Sequence, residues 1–456
     1  MRGLVDMGSV NQRVRWEAMT LHYPELAERV ASQGELQPAM YSGVDLTATP
    51  YRFTVDPEVR SSLPRWVADR DDLLQDDATV ELMRTATMLG DVVADPYAAL
   101  LDTYGTKRLI EMLTQACREG VDAVPDAPEE LRAFIAAMEV KPDWLDMELV
   151  EEGARSSRVS AAFLAPFLTR GAFLATFINT YAALPMALTG ALSDRRAARR
   201  VTETTSFFAV TTLPGALDRY GIGFETTAHV RLMHSVVRFN ALRRSAKWDQ
   251  DVYGVPVPQV DQMPAGMINI YLLAAGAVRE GRTAWTPRER AIHEFVRYRC
   301  FLMGLPEDLL PSDPEGIVRV FHARAATLRY DFDDAICGEL VRSTLAAYLR
   351  PDRTWHDRVA DRVEKAWSKT FFTRSFGRGD GAAAEMGVHL DRLDQALVVA
   401  TTPYVLGRFA LMARATAPGS PVQHVADAYT LRVLRKALAT YGVTEAMTEA
   451  HGQISH

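Results

Sequence analysis

The amino-acid sequence predicts an all-α protein. Apolar residues recur at spacings of three and four, helix-start signals are frequent, and strictly alternating runs of β-branched residues are nearly absent. No Asn-Gly or Asp-Gly turn joins two strand-like segments. A chain of 456 residues is long enough to bury an extensive core.

The first 60 residues are predicted to form an irregular N-terminal arm, because prolines interrupt every periodic pattern there: Pro24, Pro38, Pro50 and Pro57. Residues 61–456 are predicted to form a single all-helical domain. Helical periodicity is clearest over residues 77–89, 97–118 and 128–138. The acidic cluster at residues 69–77 is typical of a solvated helix end.

Start signals mark two later helices. Thr286-Pro287-Arg288-Glu289 combines a capping box with proline at the first helical position. Asp313-Pro314 offers similar chemistry before the next apolar run. The Pro- and Gly-rich segments at residues 248–266 and 376–381 are interpreted as loops within the domain, since helical patterns resume on each side.

The longest uncharged run covers residues 171–192 and is nominally long enough to cross a bilayer. Its Asn179, Pro185 and many small residues favour a buried helix pair, so we expect no membrane span. The wider block from Ala161 to Leu192 could line an apolar pocket or simply pack in the core.

Composition excludes some classes of protein. The net charge of −7 argues against nucleic-acid binding. Among the 51 basic residues, 45 are Arg and 6 are Lys, for which GC-rich codons are the main explanation. Arginine nevertheless pairs with planar oxyanions in a way that lysine does not.

The three cysteines form no Cys-x-x-Cys pair, and the N-terminus shows no secretion signal. We therefore expect a reducing, cytoplasmic setting. Phosphate-binding loops, dinucleotide-binding glycine motifs, zincin motifs and Gly-x-Ser-x-Gly elbows are all missing from the sequence.

One predicted helix, residues 226–244, carries a chemical signal, with Thr226 or Thr227 as its expected N-cap. Arg231, His234 and Arg238 fall at i, i+3 and i+7 and share one apolar face. The arginines would lower the pKa of His234 and keep the imidazole neutral, the state that binds a metal. Haem would supply iron for the imidazole and two propionates for the arginines. The alternative is a core histidine whose arginines pair with Asp or Glu of the chain.

A second helix is predicted from residue 195 to 208. Arg200 and Thr204 share one of its faces, with Glu203 beside them. A threonine hydroxyl in a dry pocket can donate to dioxygen or to a reacting oxyanion. The alternative is a basic helix end at the surface.

Together these residues resemble the latex-clearing-protein (rubber oxygenase) family, whose superfamily includes the MpaB-type haem oxygenases. The family has an Arg-x-x-x-Thr helix followed by an Arg-x-x-His-x-x-x-Arg helix at a similar distance. The segment 253–259 is similar to the family's next loop, with Pro258 where Asn is expected, and residues 298–305 are similar to its following helix. The resemblance is clearest over residues 155–310.

The resemblance implies a globin-like helical core around non-covalent haem b, with additional flanking helices. His234 would be the proximal iron ligand, and Arg231 and Arg238 would hold the propionates or the local network. Arg200 and Thr204 would lie at or behind the distal side. The implied reactions use O₂, including cleavage of carbon–carbon double bonds in polyisoprenoids.

Two departures change these expectations. Glu203 stands where latex-clearing proteins have lysine, so it is either a general base for allylic proton abstraction or a partner of Arg199 or Arg200. The missing secretion signal argues for a hydrophobic metabolite inside the cell instead of extracellular rubber.

The sequence thus predicts a haem-dependent oxygenase of a lipophilic, unsaturated small molecule, with Glu203, Thr204 and Arg200 as catalytic residues. The alternatives are a hydroxylase or peroxygenase that uses the same haem, and a non-catalytic haem-binding helical protein. The oligomeric state stays open.

Overall fold

A computed structural model of the protein describes residues 22–64, 67–188, 194–377 and 381–441. The all-α prediction is confirmed over these residues, which form 21 α-helices and no β-strand. The helices are α1 (Pro24–Leu36), α2 (Pro38–Tyr41), α3 (Arg70–Leu74), α4 (Asp77–Thr87), α5 (Ala94–Ala99), α6 (Leu101–Glu119), α7 (Glu129–Glu139), α8 (Met147–Phe163), α9 (Ala165–Ala175), α10 (Thr180–Leu188), α11 (Asp194–Val210), α12 (Ile222–Arg244), α13 (Gln250–Tyr253), α14 (Gln259–Arg279), α15 (Pro287–Leu302), α16 (Pro314–Thr327), α17 (Glu339–Ala346), α18 (Trp355–Ser375), α19 (Ala382–Glu385), α20 (Arg392–Ala415) and α21 (Gln423–Tyr441).

Side-chain chemistry explains where several helices begin. At the start of α15, Thr286 and Glu289 form the predicted capping box, each side chain accepting from the other residue's backbone N–H. Asp313 caps α16 directly before Pro314. Within the acidic cluster at residues 69–77, Asp69 caps α3 and Asp76 caps α4, so these carboxylates do mark helix ends.

Helix α12 lies in the main core and packs against α5, α6, α11 and α15. Buried residues occur all around it, as expected for a central helix. Helices α8 and α15 approach each other closely at Gly153, where an added Cβ would lie 1.9 Å from the Ala291 carbonyl oxygen. These contacts fix α12 and α15 relative to each other, and both helices supply residues to the site.

The prediction of an irregular arm over residues 1–60 is wrong for residues 24–41 of its described part, residues 22–60. Helices α1 and α2 form there, and Leu26 and Val30 of α1 are buried in the main core. Pro24 and Pro38 begin these helices, since a proline in the first turn lacks only an N–H that would have no helical partner. Residues 1–21 lie outside the described residues.

Two local predictions around the site also need correction. Helix α12 begins at Ile222, four residues before Thr226, whose hydroxyl donates to the Ile222 carbonyl oxygen at 2.6 Å instead of capping the helix. The segment 248–266 is only partly a loop, because α13 and the first turns of α14 lie within it. Of the other expected loop, residues 378–380 lie outside the described residues.

Two apolar segments are relevant to membranes. The uncharged run expected to form a helix pair does so, as α9 and α10, which are bent by 107° relative to each other. Helix α20 is long and apolar enough to cross a membrane, with a mean hydropathy of 1.5, and 11% of that apolar window is buried. This indication for α20 rests on the length and composition of the helix.

Candidate functional site

A cavity of about 2030 Å³ lies between α8–α12 and α14–α16. Four of the six predicted site residues line it: Arg200, Glu203, Thr204 and His234. The structure thus brings the two sequence motifs to one cavity. Arg231 and Arg238 are not among its lining residues and are buried behind it.

The rest of the cavity wall is largely apolar. The block predicted to line a pocket does so over its described part, from Ala161 to Met186. Helix α9 contributes Leu168 and Phe173, and α10 contributes Pro185 and Met186. Phe177 and Ile178, in the segment where the chain bends between the two helices, line the wall as well. Such a wall suits a lipophilic molecule.

His234 is held by a hydrogen bond that the sequence did not reveal. Its Nδ1 lies 2.7 Å from Oε1 of Gln262 on α14. The Gln262 amide donates through Nε2 to the Val257 carbonyl oxygen at 3.3 Å, which identifies its Oε1 as the acceptor for His234. The proton therefore lies on Nδ1, and Nε2 keeps its lone pair. A hydrogen bond from Nδ1 to an acceptor in the protein is the arrangement that orients an imidazole for binding a metal through Nε2.

Burial keeps the His234 imidazole neutral. The pKa of His234 is lowered to about 4, mainly because burial penalises the charged ring, with Arg238 and Arg200 adding repulsion. Of the two arginines that flank His234 on α12, Arg238 contributes the predicted lowering of the pKa, which is secondary to burial, and Arg200 of α11 adds to it. At neutral pH the residue is competent to bind a metal.

Arg231 and Arg238 find their anionic partners inside the chain. Arg231 forms a two-point ion pair with Asp91, at 2.6 Å from Nε and 2.8 Å from Nη2. Arg238 pairs with Asp95, which also accepts from the Tyr41 hydroxyl at 2.5 Å. The expectation that propionates satisfy these arginines is therefore corrected, and the alternative of pairing with Asp is what the structure contains.

Arg238 instead supports the site through the loop before α14. Its Nε donates to the Pro256 carbonyl oxygen at 2.9 Å, and its Nη2 donates to that of Val257 at 2.7 Å. Val257 has a φ of 47°, a strained value for a β-branched residue. Its carbonyl oxygen accepts from both Arg238 and Gln262. Arg238 thus positions His234 indirectly, through Val257 and Gln262, which is the local-network role expected as an alternative.

Two glycines leave room for this network. A Cβ at Gly90 would lie 2.0 Å from the Tyr41 hydroxyl, and one at Gly304 would lie 2.5 Å from Asp91 Oδ2. Gly304 also has a φ of 89°, which favours glycine. Gly304 lies in the turn after α15, within residues 298–305, the segment that is similar to the family's following helix.

On α11, Glu203 combines an ion pair with a raised pKa. Arg199 Nε donates to Glu203 Oε1 at 2.9 Å, so the expected alternative of pairing with Arg199 is present. Burial nevertheless raises the pKa of Glu203, against the opposing effects of Arg199 and Arg200. Arg200 Nη1 lies 3.7 Å from Met233 Sδ, next to His234 in the chain. The Glu203 carboxyl, Thr204 and the His234 imidazole line the same cavity.

Sequence reasoning missed other polar residues of the cavity. The Tyr271 hydroxyl lies 3.1 Å from His322 Nε2, and both residues line the wall. Gln262 and the buried Asp91 and Asp95 were missed as well. The one available signal was the pair of aspartates within the otherwise apolar segment 86–101, since buried carboxylates require cationic partners.

Comparisons with known proteins identify the family of the chain and a solved structure with a similar fold. A family model described as "ER-bound oxygenase mpaB/B'/Rubber oxygenase, catalytic domain" matches residues 158–415. A solved structure, "Structure of Latex Clearing Protein LCP in the closed state", aligns with a TM-score of 0.53 and 16% identity, covering 78% of this chain and 91% of that chain. At this identity the alignment shows a shared fold. No curated protein matches the sequence. Because the family model covers more than half of the chain, the protein belongs to the rubber oxygenase/mpaB family of oxygenase catalytic domains.

Proposed function

We propose that this protein is a haem b-dependent oxygenase that uses O₂ to oxidise or cleave a lipophilic, unsaturated small molecule. The observation that carries the proposal is His234, a neutral imidazole oriented by Gln262 on the wall of a large apolar cavity. Membership of an oxygenase family supports the reaction class.

The residues present fit non-covalent haem. Nε2 of His234 makes no hydrogen bond within the described part of the chain and is the nitrogen available to iron. No group of three or more His, Cys, Asp or Glu suited to a metal occurs among the described residues. In a haem site the protein supplies an axial ligand and the porphyrin supplies the others, so the single imidazole of His234 is enough to hold haem. The cavity of about 2030 Å³ is larger than pockets for one drug-sized ligand, which hold roughly 300–1,000 Å³.

When bound, haem would supply an iron that activates O₂. His234 would hold it through Nε2, and the apolar wall would exclude water and bind the hydrocarbon. Glu203, whose pKa is raised by burial, would accept an allylic proton on its carboxylate. Thr204 would donate a hydrogen bond from Oγ1 to oxygen on the substrate.

The cofactor is tested by absorbance. Protein purified from a haem-supplemented culture should show a Soret band, and His234→Ala should abolish or strongly weaken it. His229→Ala is the matched control, because His229 lies on the same helix but hydrogen-bonds Thr114 Oγ1 and does not line the cavity. A wild-type protein that is colourless as purified and causes no shift of the Soret band on titration with haemin would refute the proposal.

The reaction is tested with ¹⁸O₂. Cleavage of a double bond places label in carbonyl products, whereas hydroxylation places it in an alcohol. Glu203→Gln should slow turnover by about 10²- to 10⁴-fold with the Soret band unchanged, and Thr204→Ala should also slow it. If neither variant changes any turnover, the catalytic assignments fail and a non-catalytic haem-binding protein is the better description.

We also propose a cytoplasmic location. Cys117, Cys300 and Cys337 are buried free thiols, and burial raises their pKa values, which makes them unreactive. Free thiols suit a reducing compartment. Cell fractionation of the tagged protein tests this, and recovery from a secreted fraction would contradict it.

A further inference from the structure

Arg299 differs from the other fully buried arginines of the described structure. Arg52 pairs with Asp261, Arg170 with Asp361, and Arg238 with Asp95. Arg299 is 1% exposed and forms no ion pair with any described carboxylate. Unlike Arg52, Arg170 and Arg238, Arg299 therefore has no carboxylate partner among the described residues.

The contacts of Arg299 are neutral. Its Nη2 donates to the Gly266 carbonyl oxygen at 3.0 Å, and its Nε has no hydrogen-bond partner among the described residues. The guanidinium carbon lies 4.7 Å from the ring centroid of Phe208 and 5.2 Å from that of Phe295. Aromatic faces attract a cation, but they recover less than full desolvation of the charge costs.

The guanidinium stays charged despite its burial. Burial lowers the pKa of Arg299 to about 10, which still leaves the side chain protonated at neutral pH. Arg299 lines the same cavity as His234 and Glu203. A ligand in that cavity can therefore supply the missing anion.

Arg299 and His234 both form hydrogen bonds with residues of α14. Gly266, which Arg299 contacts, lies one helical turn after Gln262, which holds His234. Four residues of α-helix correspond to about 6 Å along the helix axis. Arg299 and His234 therefore contact α14 about one helical turn apart.

We propose that Arg299 is a carboxylate-binding residue of the cavity. The carboxylate is either a propionate of the cofactor or the acid group of a lipophilic substrate, and the guanidinium binds both by the same chemistry. The first source rests on the proposed function, whereas the second does not require haem.

The first experiment compares haemin with haemin dimethyl ester, which lacks both carboxylates. If a propionate binds Arg299, the wild-type protein should bind haemin about 10- to 100-fold more tightly than the ester in a Soret titration. Arg299→Met should remove this preference, and Arg299→Lys should retain part of it. Arg297→Met is the matched control, because Arg297 lies on the same helix, stacks on Trp144 and does not line the cavity.

The second experiment compares dodecanoate with methyl dodecanoate, using displacement of a fluorescent fatty acid from the protein as purified. A preference of the wild type for the free acid that Arg299→Met abolishes identifies substrate carboxylate as the source. A preference confined to haemin identifies the propionate.

The proposal is overturned if the wild type prefers neither carboxylate, or if its preference persists in Arg299→Met. If Arg299→Met fails to fold, Arg299→Lys decides, because lysine lacks the planar two-point geometry of guanidinium and should lower the preference. An unchanged preference in Arg299→Lys overturns the proposal. Failure of the wild type to bind haemin at all refutes the proposed function alone, since the dodecanoate comparison still tests Arg299.

Discussion

The buried ion pair between Arg238 and Asp95 should contribute far more to stability than a similar pair on the same helix. Both side chains of this pair are 0% exposed, and the pair joins α12 to α5. Asp95→Asn keeps the shape of the side chain but leaves buried Arg238 without its direct carboxylate partner. Removing one partner of a buried pair costs about 3–5 kcal/mol.

The control lies at the end of the same helix. Arg244 pairs with Asp102 of α6, but these side chains are 44% and 68% exposed. Asp102→Asn should therefore cost about 0–1 kcal/mol, because water screens the charges and solvates the one that remains. The two substitutions are chemically identical and differ mainly in burial.

The measurement is denaturant unfolding followed by circular dichroism, with the midpoint and the slope fitted for each variant. Asp95→Asn should lower the midpoint clearly and Asp102→Asn barely. Asp95→Asn should also weaken haemin binding, because Arg238 holds the carbonyl oxygens that orient Gln262 and His234. Equal and small losses of stability in both variants would refute the reasoning that burial sets the cost.

Three further predictions concern the site and its packing. Gln262→Leu should weaken haemin affinity about 10- to 100-fold, measured by Soret titration, because the acceptor that orients His234 is lost. An unchanged affinity would show that Gln262 does not orient His234 for binding haem. Haemin affinity should change less than about twofold between pH 7.5 and 5.5, because protons compete with iron for His234 only near its pKa of about 4. A site built on an imidazole of ordinary pKa would lose about tenfold in haemin affinity over the same range. A tenfold loss of affinity would therefore contradict the argument that burial lowers the pKa of His234. Gly153→Ala should lower the free energy of unfolding by about 1–3 kcal/mol, measured by thermal or denaturant unfolding, because its Cβ would lie 1.9 Å from the Ala291 carbonyl oxygen. Gly276→Ala in helix α14 should be neutral or slightly stabilising, since a Cβ there would have no atom within 4 Å. Equal effects of the two substitutions would contradict the close packing of α8 against α15.

Local patterns predicted the helices and part of the site. Arg231, His234 and Arg238 share a helix face, and Arg200 and Thr204 share another, because helical spacing is a property of neighbouring residues. The capping box at Thr286 was predicted for the same reason. The two helices at residues 24–41 differ from the prediction, because Pro24 and Pro38 begin helices there instead of interrupting them.

Contacts between distant residues could not be predicted in this way. Gln262 lies 28 residues from His234, Asp91 lies 140 residues from Arg231, and Asp95 lies 143 residues from Arg238. No spacing rule relates such positions, since packing brings them together. The wrong assignment of propionates to Arg231 and Arg238 has this origin: the arginines did require anions, but the anions came from α5 and the turn before it.

The sequence by itself determined that the protein is helical, that it resembles the rubber oxygenase family, and that His234 lies among cationic residues on an apolar face. These properties depend on residue type and short-range spacing. Only the tertiary structure decided which nitrogen of His234 is available, which arginines are neutralised within the chain, and that Arg299 is buried on the cavity wall without a carboxylate. Those outcomes depend on burial and on partners far away in the chain, because the cost of a charge is set by what surrounds it.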